Sequence, residues 1–133
     1  MIEKKQTNVR SWDIIPYDIA LRIANIPDRT FKTVNSYYDS NGELQFVEDG
    51  GYIPHGAIPA PSYDQAYSWM AWDKRNSTKD FRVSIEYDKQ EEKYYSCITI
   101  GGDRPICGEL TTDKDTAWCN AVIEVCKLLY QLN

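Results

Sequence analysis

Apolar residues recur along this chain first with helical and then with strand-like spacing, and these periods define its predicted elements. Four isoleucines at intervals of three and four residues, with polar residues between them, predict a first helix. Pro16 is compatible with the first turn, where an N–H would have no partner, and Pro27 ends the helix. The isoleucines are Ile15, Ile19, Ile23 and Ile26.

A hairpin and an irregular connection are predicted next. The runs Phe31 to Tyr38 and Glu43 to Val47 flank Ser40-Asn41-Gly42, and Asn-Gly is a strong signal for a tight primed turn. From Glu48 to Pro61, glycines and prolines are too frequent for a regular element. We therefore expect two strands followed by a long connection.

The last third of the chain begins with a capped helix. Ser62 and Gln65 have the spacing of a capping box, which predicts a second helix from Ser62 to about Asn76. Four residues form its predicted inward face: Tyr63, Ala66, Tyr67 and Met70.

Two alternating strands and a final helix follow. The run from Phe81 to Tyr87 alternates between apolar and polar residues, as a strand does when one face is buried and the other is in water. A partner strand is predicted from about Tyr94 to Ile100, and Cys107 to Leu110 is a candidate for a short edge strand. Thr112 is predicted to cap the last helix, with acidic residues in its first turn.

These elements predict a single α+β domain over residues 11–133, preceded by a flexible segment over residues 1–10. Their order is helix, hairpin, helix, hairpin, helix. Tyr17-Asp18-Ile19-Ala20 and Tyr63-Asp64-Gln65-Ala66 open two similar units. This similarity favours one four-stranded, mainly antiparallel sheet packed with three helices.

Composition restricts the class of partner. The 133 residues are 42% hydrophobic, which is enough for one core, and they include 15 basic and 20 acidic residues, for a net charge of -5 and a pI near 4.8. This charge argues against nucleic acid as a partner, because phosphate binding needs a basic surface. No stretch has the character of a signal peptide or a membrane span, so a soluble, cytoplasmic protein without membrane contact is expected.

The four cysteines are expected to be small buried side chains in a reducing compartment. None has C-x-x-C spacing and the single histidine is distant in sequence, which argues against a zinc site. Cys119 and Cys126, if they share one helix, lie roughly 10 Å apart, beyond disulfide reach. The other two cysteines are Cys97 and Cys107.

Residues that often carry chemistry do not form a catalytic pattern here. No serine or cysteine has a spacing that points to His55 as its base. Gly101-Gly102-Asp103-Arg104 is not followed directly by a helix, so a plain turn is expected instead of an anion site. Asp113 and Asp115 are explained as helix-start residues. We therefore expect no enzymatic activity, metal or cofactor.

Helical phase predicts two surplus apolar surfaces. The last helix carries an apolar arc wider than one sheet face needs, so it is expected to contact either another helix of the chain or a partner. On the second helix Trp72 lies opposite Tyr63 and faces outward, covered either by the preceding connection or by a partner. The candidate interface or ligand residues are Tyr52, His55, Trp69, Trp72, Trp118, Ile123 and Tyr130.

A resemblance to a known group rests on two segments. Ile58-Pro59-Ala60-Pro61-Ser62-Tyr63 leads a helix that contains Trp69, and the terminal helix carries Ala117-Trp118-Cys119-Asn120-Ala121 followed by Cys126. Over roughly Ser62 to Leu132 the chain thereby resembles the small phage and prophage proteins of the phage ABA sandwich domain, although the terminal run only approximates that family's Ala-Ile-Cys-x-Ala. The resemblance implies origin in a mobile genetic element that acts in a bacterial cytoplasm, and it implies no assigned activity.

Three functions follow as hypotheses. The leading one is a non-enzymatic accessory protein that binds another protein, or itself as a homodimer, through Trp72 and the last helix. The alternative is a small-molecule binder, for instance a sponge for a nucleotide-like signal, with a pocket around Tyr52, His55 and Trp72. An enzyme of unknown class is the third.

Overall fold

The computed structural model describes residues 8–26, 34–48, 51–73, 75–76 and 78–132. Within these ranges the chain is α+β, as predicted, with three helices and two three-stranded antiparallel sheets. The predicted single four-stranded sheet was wrong. The elements are α1 (Tyr17–Ile23), β1 (Ser36–Tyr38), β2 (Leu44–Phe46), β3 (Ile58–Pro59), α2 (Tyr63–Trp72), β4 (Phe81–Asp88), β5 (Lys93–Ile100), β6 (Ile106–Cys107) and α3 (Lys114–Leu129).

The first two helices are each followed by three strands, so the predicted order with two hairpins was also wrong. The strand orders are β2-β1-β3 and β4-β5-β6. Strand β3 lies in the connection that was predicted to be irregular, and it pairs Pro59 with Tyr37. Because Pro59 has no N–H and Ser62 caps the next helix three residues later, β3 ends the first sheet instead of joining it to the second.

The first hairpin turns through a three-residue loop rather than a tight primed turn. The N–H of Gly42 donates to the carbonyl of Asp39, and Gly42 has a φ of +76°, in the left-handed region. The carboxylate of Asp39 accepts from the N–H groups of Asn41 and Glu43. This is a type I turn closed by a left-handed glycine. Residues 31–33, predicted as strand, lie outside the described ranges.

Capping explains where the longer helices begin. The side chains and backbones of Ser62 and Gln65 make both bonds of the capping box, which confirms the predicted start of α2. The cap of α3 is Asp113 rather than the predicted Thr112, because the carboxylate of Asp113 accepts from the N–H of Thr116.

Helix α3 lies at the centre of the core. It packs on β5 and β6 and also contacts α1 and α2. The sulfur of Cys126 lies 3.9 Å from the carbonyl oxygen of Ile19, which shows how closely α3 approaches α1. Other helices of the same chain therefore cover much of the wide apolar arc of α3, which was one of the two alternatives left open by the sequence, while Leu128 and Leu132 stay exposed.

Strand β6 approaches α3 at Gly108, the residue that follows the strand. A Cβ at this position would lie 2.6 Å from the amide nitrogen of Ala121 and 2.7 Å from the carbonyl carbon of Asn120. The N–H of Gly108 donates to the carbonyl of Ser96, which continues the pairing with β5. Only a residue without a side chain fits between this strand end and the helix backbone.

The prediction of four unpaired cysteines was wrong for two of them. The antiparallel register of β5 and β6 sets Cys97 directly opposite Cys107, and the two are joined by a disulfide. Cys119 and Cys126 are free and buried, as expected.

Candidate interaction surfaces

Trp72 is the last residue of α2, and it is 81% exposed. The inward face of the helix carries Tyr63, Ala66 and Met70, which are all buried. Helical phase therefore predicted the direction of Trp72 correctly. The described part of the preceding connection, residues 51–61, leaves the indole uncovered.

The backbone beside Trp72 is held by a buried carboxylate. The side chain of Asp73 is 0% exposed, and it accepts hydrogen bonds from the hydroxyl of Tyr130 at 2.7 Å and from Nη2 of Arg75 at 2.8 Å. The side-chain amide of Asn76 donates to the carbonyl of Met70 at 3.2 Å. These bonds tie the end of α2 to the end of α3, so Trp72 protrudes from a fixed backbone.

The electrostatics of this cluster favour the ionised form of Asp73. Burial raises the pKa of its carboxyl group, but the hydrogen bonds from Arg75 and Tyr130 outweigh burial, and the pKa lies below its ordinary value. Burial, together with the hydrogen bond to Asp73, raises the pKa of Tyr130 far above its ordinary value. The hydroxyl therefore stays a donor at neutral pH, and the cluster acts as a structural clamp.

Three other aromatic candidates are partly or fully buried. Trp69 and Trp118 pack against the core, and the ring centroid of Trp118 lies 5.6 Å from that of Tyr67. Tyr130 is 4% exposed, so its prediction as a surface residue was wrong. The reason is its hydroxyl group, which is directed inward as a donor to Asp73.

Tyr52 and His55 lie on the connection and are exposed, Tyr52 by 88%. They are therefore solvent-exposed and do not line a pocket with Trp72.

A cleft of about 210 Å³ lies elsewhere, between α3 and the segment after β6. It is smaller than the roughly 300 to 1,000 Å³ of typical ligand pockets. Its lining residues are Glu109, Asn120, Ile123, Glu124 and Lys127.

No protein-family model, curated protein or solved structure matches this chain. The resemblance to the phage ABA sandwich domain therefore rests on the sequence features alone and stays a prediction.

Several groups that often carry chemistry have structural roles here. Burial raises the pKa of Cys119 and of Cys126 to about 12, so both thiols are neutral at neutral pH and poorly nucleophilic. Asp113 caps α3 and pairs with Arg10 at 2.8 Å, and Arg10 also lies 3.2 Å from Asp115.

Within the described ranges, no three His, Cys, Asp or Glu side chains are grouped to hold a metal ion. None of the helices found there is long and apolar enough to cross a membrane.

Strand β4 carries a second exposed apolar surface, which the sequence pattern did not reveal. Val83, Ile85 and Tyr87 are 43%, 46% and 49% exposed, although Ile98 and Ser96, which face the first two on β5, are fully buried. Helix α3 covers β5 and β6 and reaches β4 only at its margin. The expectation of one buried face was therefore wrong for this strand. Alternation marks which residues share a face, but it does not show whether anything covers that face.

Proposed function

We propose that this chain is a non-enzymatic accessory protein that acts by binding another protein through Trp72. The observation that carries the proposal is the 81% exposure of this side chain at the fixed end of a capped helix. Tryptophan is enriched at the energetic centres of protein interfaces, because it removes a large apolar area from water while losing few rotamers. An indole held in water on a fixed backbone therefore favours a contact role.

Origin in a phage or prophage, and action in a bacterial cytoplasm, belong to the same proposal. The resemblance to the phage ABA sandwich domain supports the origin. The cysteines give two opposite indications of the compartment. The free, buried Cys119 and Cys126 fit a reducing compartment. The disulfide between Cys97 and Cys107 is more typical of an oxidising one.

Binding of a nucleotide-like small molecule has less support from the geometry. Tyr52, His55 and Trp72 are all exposed, whereas ligands of this size are usually enclosed in a concave pocket. The cleft beside α3 includes none of these three residues. Protein binding therefore remains the better supported function.

Trp72→Ala is expected to weaken partner binding about 30-fold without changing the fold. Loss of a hot-spot tryptophan typically removes about 2 kcal/mol or more of binding free energy, and the exposed indole contributes little to the core. The partner is first trapped in host cells by a photoreactive amino acid at position 72, with position 103 as the exposed control. Affinity of the purified partner is then measured by calorimetry.

Trp12→Ala provides a matched control, because Trp12 is also an exposed tryptophan. Its affinity for the same partner is expected to stay within about threefold of wild type. The proposal is contradicted when positions 72 and 103 trap the same mixture of proteins. It is equally contradicted when the trapped partner binds Trp72→Ala as tightly as wild type.

A further inference from the structure

In the described part of the chain β4 is an edge strand, so no strand pairs with the backbone groups on its outer side there. The N–H of Gly101 donates to the carbonyl of Asp80. The alternation of an antiparallel ladder therefore directs the N–H and C=O groups of the even-numbered residues of β4 towards β5. The carbonyl of Ser96 accepts from the N–H of Gly108, the residue after β6, as this alternation requires. The N–H and C=O groups that point away from the sheet belong to Phe81, Val83, Ile85 and Tyr87.

The side chains of these four residues form an apolar row along the strand, here named the β4 row. It lies on the core-facing side of the sheet, yet three of its members are nearly half exposed. The opposite side of the strand carries Arg82, Ser84 and Glu86. An edge of eight residues with an uncovered apolar row is a template for pairing with another strand.

We propose that β4 pairs with β4 of a second copy of this chain, antiparallel and with the two-fold axis at Ser84. In this register Val83 faces Ile85 of the second copy, and Phe81 faces its Tyr87. Each of these facing pairs joins outward-pointing backbone groups, so it exchanges two ladder hydrogen bonds. The two β4 rows then lie side by side on one face of a continuous sheet, and each shields the other from water.

Charge complementarity supports the same register. Arg82 faces Glu86 of the second copy, and the symmetry repeats this pair on the other side of the axis. Within one chain these two side chains are about 13 Å apart along the strand and cannot pair. The one unfavourable contact sets Asp80 opposite Asp88 at each end of the ladder, next to solvent.

Neighbouring registers match less well. An axis at Ile85 also brings opposite charges together, Arg82 with Asp88, but it sets Phe81 opposite Lys89 and so leaves one member of the β4 row without an apolar partner. An axis at Val83 sets Glu86 opposite Asp80, which brings like charges together. Only the axis at Ser84 pairs every member of the β4 row with another member and joins opposite charges.

This pairing goes beyond the function proposed above, because it uses β4 rather than Trp72. It is also closed, since the same strand serves both copies and no further copy can be added at that edge. Loss of the β4 pairing is therefore expected to leave binding through Trp72 unchanged, and loss of Trp72 is expected to leave the β4 pairing unchanged.

The test is the mass in solution, measured by sedimentation equilibrium on the full chain and its variants. Wild type is expected at twice the 15.4 kDa of the single chain. Arg82→Glu and Glu86→Arg each place like charges opposite one another twice, so each is expected to raise the dissociation constant at least about tenfold. The double variant restores opposite charges and is expected to return to within about threefold of wild type. Arg104→Glu, an exposed charge reversal outside β4, is expected to leave the constant unchanged.

Both Arg82 and Glu86 are exposed in the single chain, so thermal unfolding of each variant is expected to match that of wild type at low concentration. A wild-type protein that is still a monomer at about 1 mM overturns the proposal. A dimer whose dissociation constant is the same in all variants overturns it as well, and so does a double variant that is no tighter than the single ones.

Discussion

Asp73→Ala is expected to lower the free energy of unfolding by about 3 kcal/mol. The substitution removes a fully buried carboxylate and deprives the hydroxyl of Tyr130 of its acceptor at 2.7 Å, inside the protein where water does not replace it. It also removes the acceptor of three donor groups of Arg75, its N–H, Nε and Nη2. Urea denaturation followed by circular dichroism measures the loss.

Asp80→Ala is the matched control for this variant. Asp80 also pairs with an arginine two residues later, but its contact with Arg82 is 3.5 Å long and both side chains are more than three-quarters exposed. The expected change is within about 0.5 kcal/mol. Equal losses in the two variants would contradict the role of Asp73 as a clamp.

The effect of Asp73→Ala is also expected to depend on pH. Because the folded-state pKa of Asp73 lies below its unfolded value, the carboxylate contributes its full stability above about pH 5 and loses it as the pH falls through the folded-state pKa. The difference in free energy of unfolding between wild type and Asp73→Ala should therefore become smaller as the pH falls. A difference that grows in acid would contradict the lowered pKa.

Gly108→Ala is expected to lower the free energy of unfolding by about 3 kcal/mol, at the upper end of the usual range for overpacking. The added Cβ would lie 2.6 Å from the amide nitrogen of Ala121, a backbone atom that cannot move without shifting α3. The strand end must retreat instead, which weakens the contact of β6 with the central helix. Thermal unfolding by calorimetry measures the change.

Gly102→Ala is the control for the intrinsic effect of replacing glycine. A Cβ at position 102 would meet nothing within 4 Å, and the residue does not have a positive φ. Its stability is expected to stay within about 0.5 kcal/mol of wild type. Indistinguishable unfolding temperatures for the two alanine variants would show that the close approach at Gly108 does not constrain the fold.

The sequence predicted features that depend on neighbours along the chain. The capping box of Ser62 with Gln65, the alternating run that forms β4, and the outward direction of Trp72 are each encoded within a few residues. Such features need no knowledge of what lies across the fold. The α+β class followed from the same local patterns.

Features that depend on long-range register were missed. Cys97 meets Cys107 only because β5 and β6 pair with one particular alignment, and Pro59 forms a strand only because Tyr37 lies beside it. Neither alignment is encoded by spacing. The exposed β4 row has the same origin, since it depends on which strands α3 covers.

The inward position of Tyr130 was missed for a related reason. Its place near the end of an apolar arc suggested a surface contact, but α1 and α2 of the same chain cover much of that arc. The carboxylate of Asp73, 57 residues away in sequence, is what draws the hydroxyl inside. A buried acceptor of this kind has no signature in the pattern of apolar residues.

The proposed pairing of β4 explains why an apolar row stays exposed in the single chain. Hydrogen exchange of the backbone amides of β4, followed by nuclear magnetic resonance, tests this pairing most directly. Ser84 and Glu86 direct their N–H groups to β5 and are expected to be protected at every concentration. Val83 and Ile85 direct theirs outward, so their protection requires a second strand.

The proposed pairing predicts that the amides of Val83 and Ile85 are protected in concentrated wild type, and that dilution or Arg82→Glu removes this protection while Ser84 and Glu86 keep theirs. Unprotected exchange of Val83 and Ile85 at every concentration, beside protected Ser84 and Glu86, would contradict it.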